Sequence, residues 1–282
     1  MIGFTGLGVM GEPICRNLAL KSGARMLAYD TRAEPLDRLA ACGVQAARDL
    51  HDIAERCEIV FLSLPGGKEV AQVCAALLAV RPGTLVVDLS TTPVALAREL
   101  HARFAARGIG FVDAPVARTR AAAHAGTLSV MVGCDEPDFA RVQPLLAHFA
   151  TDVARCGGPG AGQAIKIVNN MLLFQNVVAL AEALALVRGL GLDAGLALQV
   201  LAKGSGDSFA LRNHATKAML PGDFPKNAFP VSYALKDIGY ALELAERLGV
   251  PLTGAANARA LLERAAAAGH AEEYFPVIAK LF

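Results

Sequence analysis

Apolar residues in the first half of the chain gather in short runs, and the segments between those runs carry them one helical turn apart. Residues 2–5, 25–29, 59–64, 85–89, 111–112 and 127–132 read as strands, with 151–156 as one more. Short unbroken apolar runs mark strands that are covered on both faces. Residues 13–21, 34–41, 69–78 and 94–107 read as helices. Strand and helix in alternation predict an α/β domain built on a doubly wound, mostly parallel sheet.

The texture changes after Cys156. Gly157-Gly158-Pro159-Gly160-Ala161-Gly162 is a cluster of breakers, and no alternating strand pattern follows it. Residues 163–189 form one continuous helical pattern, about 40 Å long at the helical rise. Further helices are predicted at 195–202, 210–219, 231–248 and 254–268. The expected organisation is an α/β domain over residues 1–160 and an all-α domain over 161–282, joined by the long helix. Its most apolar part, residues 177–187, is interrupted by Glu182 and is too short to span a bilayer, so it reads as buried.

The first strand runs into Gly6-Leu7-Gly8-Val9-Met10-Gly11, a helix follows, and the second strand closes on Asp30. This is the order of a Rossmann-like dinucleotide fold. Gly6 permits the tight turn, Gly8 lets main chain approach a pyrophosphate, and Gly11 lets helix and strand pack closely. The helix N-terminus then offers its N–H groups to the phosphates. Asp30 is placed to accept hydrogen bonds from ribose hydroxyls and to repel a 2′-phosphate, so NAD is the expected cofactor. Arg32 keeps NADP as the alternative. Ligands in such sheets collect at the carboxyl ends of strands, where Leu64-Pro65-Gly66-Gly67 and Ser90-Thr91-Thr92-Pro93 lie. Thr92 reads as an N-cap with Pro93 at the first helical position, which leaves Ser90 or Thr91 to present a hydroxyl to the cofactor.

Charge and cysteines narrow the field. The 27 basic and 26 acidic residues give no overall field to favour nucleic acid or an anionic membrane. Cys15, Cys42, Cys57, Cys74, Cys134 and Cys156 include no C-x-x-C pair and no zinc spacing with histidine. Free thiols are expected, as is no metal. With no charged n-region ahead of a long apolar core at the N-terminus, the expected location is the cytoplasm.

Lys166 and Asn170 lie one turn apart in the long helix and share a face. A lysine among Ile165, Ile167 and Val168 is partly stripped of water, which favours the neutral amine and suits it to proton transfer. The plain alternative is a snorkelling lysine beside an asparagine. A nicotinamide cofactor leaves the protein one proton to handle; Lys166 suits that task, and Asn170 can bond the same oxygen or fix the ammonium.

Four segments in order carry a resemblance: GLGVMGEPICRNL (6–18), DAPV with GTLSVMVG (113–133), GAGQAIKIVNN (160–170) and ALKDIGYALELA (234–245). Together they resemble the β-hydroxyacid dehydrogenases, the 3-hydroxyisobutyrate dehydrogenase and tartronate semialdehyde reductase type, over nearly the whole length. The resemblance implies Lys166 as acid/base and Asn170 as its helper. It implies that Leu7, Val9 and Met10 with the glycines, and Leu64, Pro65 and Thr91, line the cofactor. Lys236 would reach the cofactor from the helical domain, and the substrate loop would lie between Pro115 and Thr127. A homodimer or homotetramer packed through the helical domain is also implied. The alternative readings are an imine reductase-like enzyme of the same architecture, a class that usually lacks this lysine, or a non-catalytic dinucleotide-binding protein.

The chain departs from the family where many members carry Ser-Gly-Gly. Here Ala117-Arg118-Thr119-Arg120 stands, which resembles the sulfolactaldehyde reductases. Arg118, with Thr119, would then bind the anionic end of a small hydroxy acid or aldehyde, since a guanidinium fork suits a carboxylate, sulfonate or phosphate.

Overall fold

The computed structural model describes residues 1–226 and 228–282. Two compact units divide the chain, Met1–Lys166 and Ile167–Phe282. The division falls inside one helix and not in the glycine cluster before it.

In the first unit, β1 (Ile2–Thr5), α1 (Gly11–Lys21), β2 (Met26–Tyr29), α2 (Glu34–Ala40) and β3 (Val44–Ala46) follow in order. Next come α3 (Leu50–Arg56), β4 (Ile59–Leu62), α4 (Gly67–Leu77), β5 (Leu85–Asp88), α5 (Val94–Ala105) and β6 (Gly110–Asp113). The strands from β1 to β6 are parallel, in the spatial order 3-2-1-4-5-6. The sheet is extended by β7 (Val116–Ala117) and β8 (Leu128–Gly133), with α6 (Arg120–Ala125) between them, and by α7 (Glu136–Leu146) and β9 (Ala150–Gly157). β8 runs antiparallel to β6 and β7, and β9 runs parallel to β8.

Residues alternate between the two faces of this sheet. Phe4, Met26, Ala28, Phe61, Leu85 and Val87 pack with Ile14, Leu18, Val142 and Leu146 on one face. Leu27, Val60, Leu62 and Val86 pack with Ile53, Val70, Cys74, Leu100 and Phe104 on the other. Each fully buried side chain of this kind contributes about 1.5–3 kcal/mol, so both faces hold the sheet. The doubly wound parallel sheet expected from the apolar runs is the observed fold.

The second unit is helical, entered by α8 (Ala161–Gly189) and continued by α9 (Ala194–Leu201), a π-helix over Leu211–Met219, α10 (Val231–Leu248) and α11 (Thr253–Ala265). A short π-turn and a 3₁₀ segment, Phe275–Leu281, end it. In length and composition α8 would suffice to cross a bilayer. Its Phe174, Val177, Val178, Ala181 and Leu184 are instead buried with Leu198, Ile238, Leu262 and Phe275 in this unit's core; of the run 177–187 expected to be buried, one face is, while Leu186 on the other is exposed.

Candidate active site

Parallel pairing in register brings the strand ends to one edge. Thr5 pairs Tyr29 and Leu62, Leu62 pairs Asp88, and Asp88 pairs Asp113. The glycine turn, Asp30, the Leu64-Pro65 loop, the Ser90–Thr92 loop and Asp113 therefore line a single carboxyl edge. It is the edge at which such sheets bind ligands, around the point where the strand order reverses between β1 and β4.

The glycines occupy the conformations their tasks require. Gly6 has φ of +90°, and a Cβ there would be driven into the Ser63 carbonyl oxygen. A Cβ on Gly11 would collide with the Gly6 carbonyl oxygen, so the α1 helix sits tight on the turn. A Cβ on Gly8 would meet nothing within 4 Å. That open space beside exposed main chain is where a pyrophosphate fits. Leu7 is buried while Val9 is exposed and Met10 half-buried. No side chain caps the N-terminus of α1, which leaves its N–H groups to an anion. The cradle fits a dinucleotide.

Asp30 belongs to the same turn. Its carboxylate accepts from the Leu7 N–H at 2.6 Å, the Arg32 N–H at 2.9 Å and Arg32 Nε at 3.1 Å. Burial would raise its pKa, but these donors outweigh burial and hold it below the usual carboxylate range. Arg32 also donates to the Leu7 carbonyl at 3.1 Å, so it folds over Asp30 and onto the turn.

The two other edge loops are stitched together. The Leu64 N–H donates to Ser90 Oγ at 2.9 Å, so the Ser90 hydroxyl is engaged and Thr91 is the residue of the pair left half-buried at the edge. Pro65 is exposed beside it. The cap expected at Thr92 is not formed. Pro93 is the N-cap residue of α5, and the Thr92 hydroxyl is fully buried without a hydrogen-bond partner. Thr92 is held through its main chain instead, its N–H donating to Gln163 Oε1 at 3.0 Å.

Lys166 is the last residue of the first unit and is 9% exposed. Asn170, one turn further along α8, is buried. Its Nδ2 donates to Asp237 Oδ2 at 2.7 Å, and its Oδ1 accepts from Asn169 Nδ2 at 3.1 Å. Lys236 lies on α10 with Nζ 3.0 Å from Asp237 Oδ1 and 5.4 Å from the Tyr240 ring centroid. Asp237 is buried and is at the same time the acceptor that orients Asn170. Asp237 is not among the site residues expected from the sequence; the ALKD step within α10, residues 234–237, is the signal that carries it.

In the substrate loop, Arg118 has φ of +86°, the only positive φ of a non-glycine residue among the described residues. Its guanidinium donates to the Thr127 carbonyl at 2.6 Å, Thr151 Oγ1 at 2.8 Å and Asp152 Oδ2 at 2.5 Å. The Arg118 side chain therefore lies along β8 and β9. Thr119 Oγ1 accepts from the Ala122 N–H at 3.3 Å and caps α6.

Comparison with known proteins gives the same picture. The family described as the NAD binding domain of 6-phosphogluconate dehydrogenase matches residues 1–158. The one described as NAD-binding of NADP-dependent 3-hydroxyisobutyrate dehydrogenase matches residues 160–282. A 2-(hydroxymethyl)glutarate dehydrogenase from Eubacterium barkeri is 36% identical, over 100% of this chain and 94% of its own. The chain belongs to the β-hydroxyacid dehydrogenases. An NAD-dependent L-serine dehydrogenase from Pseudomonas aeruginosa is 34% identical over 100% of this chain and 97% of its own. A structure of Mycobacterium tuberculosis 3-hydroxyisobutyrate dehydrogenase with L-serine superposes with a TM-score of 0.89 at 33% identity, covering 99% of this chain and 98% of that one. This β-hydroxyacid dehydrogenase is an oxidoreductase of CH–OH donors that uses a nicotinamide dinucleotide, and the non-catalytic and imine-reducing alternatives are set aside.

Proposed function

We propose that this enzyme interconverts a small β-hydroxy acid and its semialdehyde, with Lys166 as general acid and base and NAD as the preferred cofactor. The observation that carries the reading is a buried lysine one turn into a helix whose first turn is hydrogen-bonded to the Ser90–Thr92 loop. The bound dinucleotide supplies or accepts the hydride. In oxidation the Lys166 amine takes the hydroxyl proton; in reduction its ammonium returns it. Asn170, with its carboxamide oriented by Asp237 and Asn169, steadies the reacting oxygen or the lysine. Leu64, Pro65 and Thr91 line the dinucleotide, and Lys236 contacts it from α10. The ionised Asp30 supports NAD, since a carboxylate accepts from ribose hydroxyls and repels a phosphate.

The three substrates named in these relatives, 2-(hydroxymethyl)glutarate, L-serine and 3-hydroxyisobutyrate, are all 3-hydroxypropanoates that differ at carbon 2. Glycerate shares that skeleton, and the alcohol of a sulfolactaldehyde shares its hydroxymethyl end. We place the substrate in this class, with Arg118 and Thr119 beside its anionic end. Three bonds to the protein leave Arg118 two of a guanidinium's five N–H groups for that contact. Steady-state kinetics on this panel, with NAD and with NADP, test the assignment. The expected result is the highest kcat/KM for one of these compounds with NAD and a raised KM in Arg118→Ala. A KM unchanged for every compound removes Arg118 from the substrate site, and a higher kcat/KM with NADP removes the NAD preference.

A second copy of the chain is the proposed partner. Leu172, Leu186, Leu190, Leu192, Leu196 and Val200 are exposed on or next to α8 and α9, and large apolar side chains gathered on neighbouring helices suit an interface. Six free thiols fit a reducing cytoplasm. Light scattering at micromolar concentration distinguishes an oligomer from a monomer.

A further inference from the structure

We propose that Gln163 is a positioning residue for proton transfer, setting Lys166 in register with the cofactor-lining loop, and that Asp113 anchors the helix start that makes this register rigid. The inference rests on the reading of Lys166 as the acid/base.

Asp113, the last residue of β6, is buried. Its Oδ1 accepts from the Gly160 N–H at 2.7 Å and its Oδ2 from the Gln163 N–H at 2.8 Å. The start of α8 is thereby bonded to the carboxyl edge of the sheet. There is no slack around it. A Cβ on Gly162 would run into the Met131 and Asp113 carbonyl oxygens, and one on Gly133 into the Asp113 carboxylate.

Gln163 is completely buried. Its Oε1 accepts from the Thr92 N–H at 3.0 Å, and its Nε2 donates to the Ser90 carbonyl at 2.8 Å. One carboxamide thus pairs the main chain on both sides of Thr91, as a neighbouring strand would. Ser90 Oγ, in turn, holds the Leu64 N–H. A helix cap would spend its side chain on the free N–H groups of its own helix; Gln163 spends both ends of its amide on the loop. Lys166 follows three residues later, on the same side of the helix. Leu64 and the main chain flanking Thr91 are consequently joined by hydrogen bonds to Gln163, and the helix backbone carries that link to Lys166, three residues on. Removing the link leaves the Ser90 carbonyl and Thr92 N–H buried and unpaired, and a shift of about 1 Å in a catalytic group costs roughly a hundredfold in rate.

Gln163→Met keeps the length and packing of the side chain and loses both bonds; Gln163→Glu keeps the acceptor for Thr92 but presents an oxygen to the Ser90 carbonyl. In the full-length enzyme, with L-serine or 3-hydroxyisobutyrate as substrate, both variants are expected to lose about 10- to 100-fold in kcat. The NADH dissociation constant, read by fluorescence, and the substrate KM stay within about threefold. In a double variant with Lys166→Met the Gln163 change adds no more than about a further threefold, because groups that act as a unit are not additive. Wild-type kcat in Gln163→Met, or a full additive loss in the double variant, overturns the proposal. So does a kcat loss matched by equal weakening of NADH and substrate binding, which marks a purely structural residue. If Lys166→Met itself keeps wild-type kcat, the acid/base reading fails and not this one alone.

Discussion

Asn170 Nδ2 donates to Asp237 Oδ2 at 2.7 Å, and both side chains are buried within the helical unit. Asp237 also faces Lys236 Nζ at 3.0 Å, so one carboxylate orients two of the residues assigned to the site. Asp237→Ala is expected to lower kcat by at least about tenfold and stability by roughly 1–3 kcal/mol, the cost of unpaired buried groups. Asp237→Asn keeps an acceptor oxygen and should fall between the two. Urea denaturation beside steady-state kinetics checks this; lost stability with unchanged kcat would reduce Asp237 to a packing role.

Gly8 and Gly11 are separable by substitution with alanine. The Gly8 methyl would enter open space, so stability should hold within about 0.5 kcal/mol while NADH affinity drops about tenfold or more, that is 1.4 kcal/mol or more. The Gly11 methyl would strike the Gly6 carbonyl, and a loss of about 1–3 kcal/mol in folding stability is expected. Thermal melts and NADH titrations of the two variants should show opposite patterns.

Cofactor choice should turn on Asp30. Asp30→Ser removes the carboxylate that holds Arg32 Nε at 3.1 Å and leaves that cation beside the ribose position. The ratio of kcat/KM for NADPH over NADH is expected to rise by about tenfold or more, equivalent to 1.4 kcal/mol of preference. An unchanged ratio would show that Asp30 does not read the ribose.

Two buried groups should pull stability in opposite directions with pH. Burial, helped by Lys217, pushes His214 down to about 4, and its Nδ1 sits 2.5 Å from the Tyr274 hydroxyl. Its unfolded form takes a proton near 6.5 while the folded form resists, so its contribution is full above 6.5 and is lost as pH falls towards 4. Burial pushes Asp113 up to about 6 despite the Gly160 and Gln163 N–H groups. Its contribution is full below about 4 and is lost as pH rises through 6. Each amounts to roughly 3 kcal/mol at most by linkage. Relative to wild type, His214→Gln should therefore gain stability on acidification from pH 6.5 to 4, and Asp113→Asn should lose it. Urea midpoints across that range give the sign directly.

Much of this was legible in the sequence wherever the cause is local. The glycine turn, Asp30 and the long helix each announce themselves through residues close together in the chain. β3 was missed because only Val44 of its three residues is buried, so no apolar run marks it. α3 and α7 were missed although Asp49 caps the first through the Asp52 N–H and Pro137 opens the second; those start signals outlast weak periodicity. The clamps on α8 were not readable, because Asp113 and Ser90 meet Gln163 across 50 and 73 residues. The same holds for Arg118, whose carboxylate partner Asp152 is 34 residues away; in the sequence alone its guanidinium looked wholly available to substrate.

That Lys166 carries the proton is tested most directly by single-turnover hydride transfer in Lys166→Met with saturating NAD and the best substrate of the panel. NADH affinity within about threefold of wild type and a rate lower by about 10²–10⁴-fold, the usual worth of general acid–base catalysis, are expected. A variant that binds NADH and transfers hydride at the wild-type rate would contradict it.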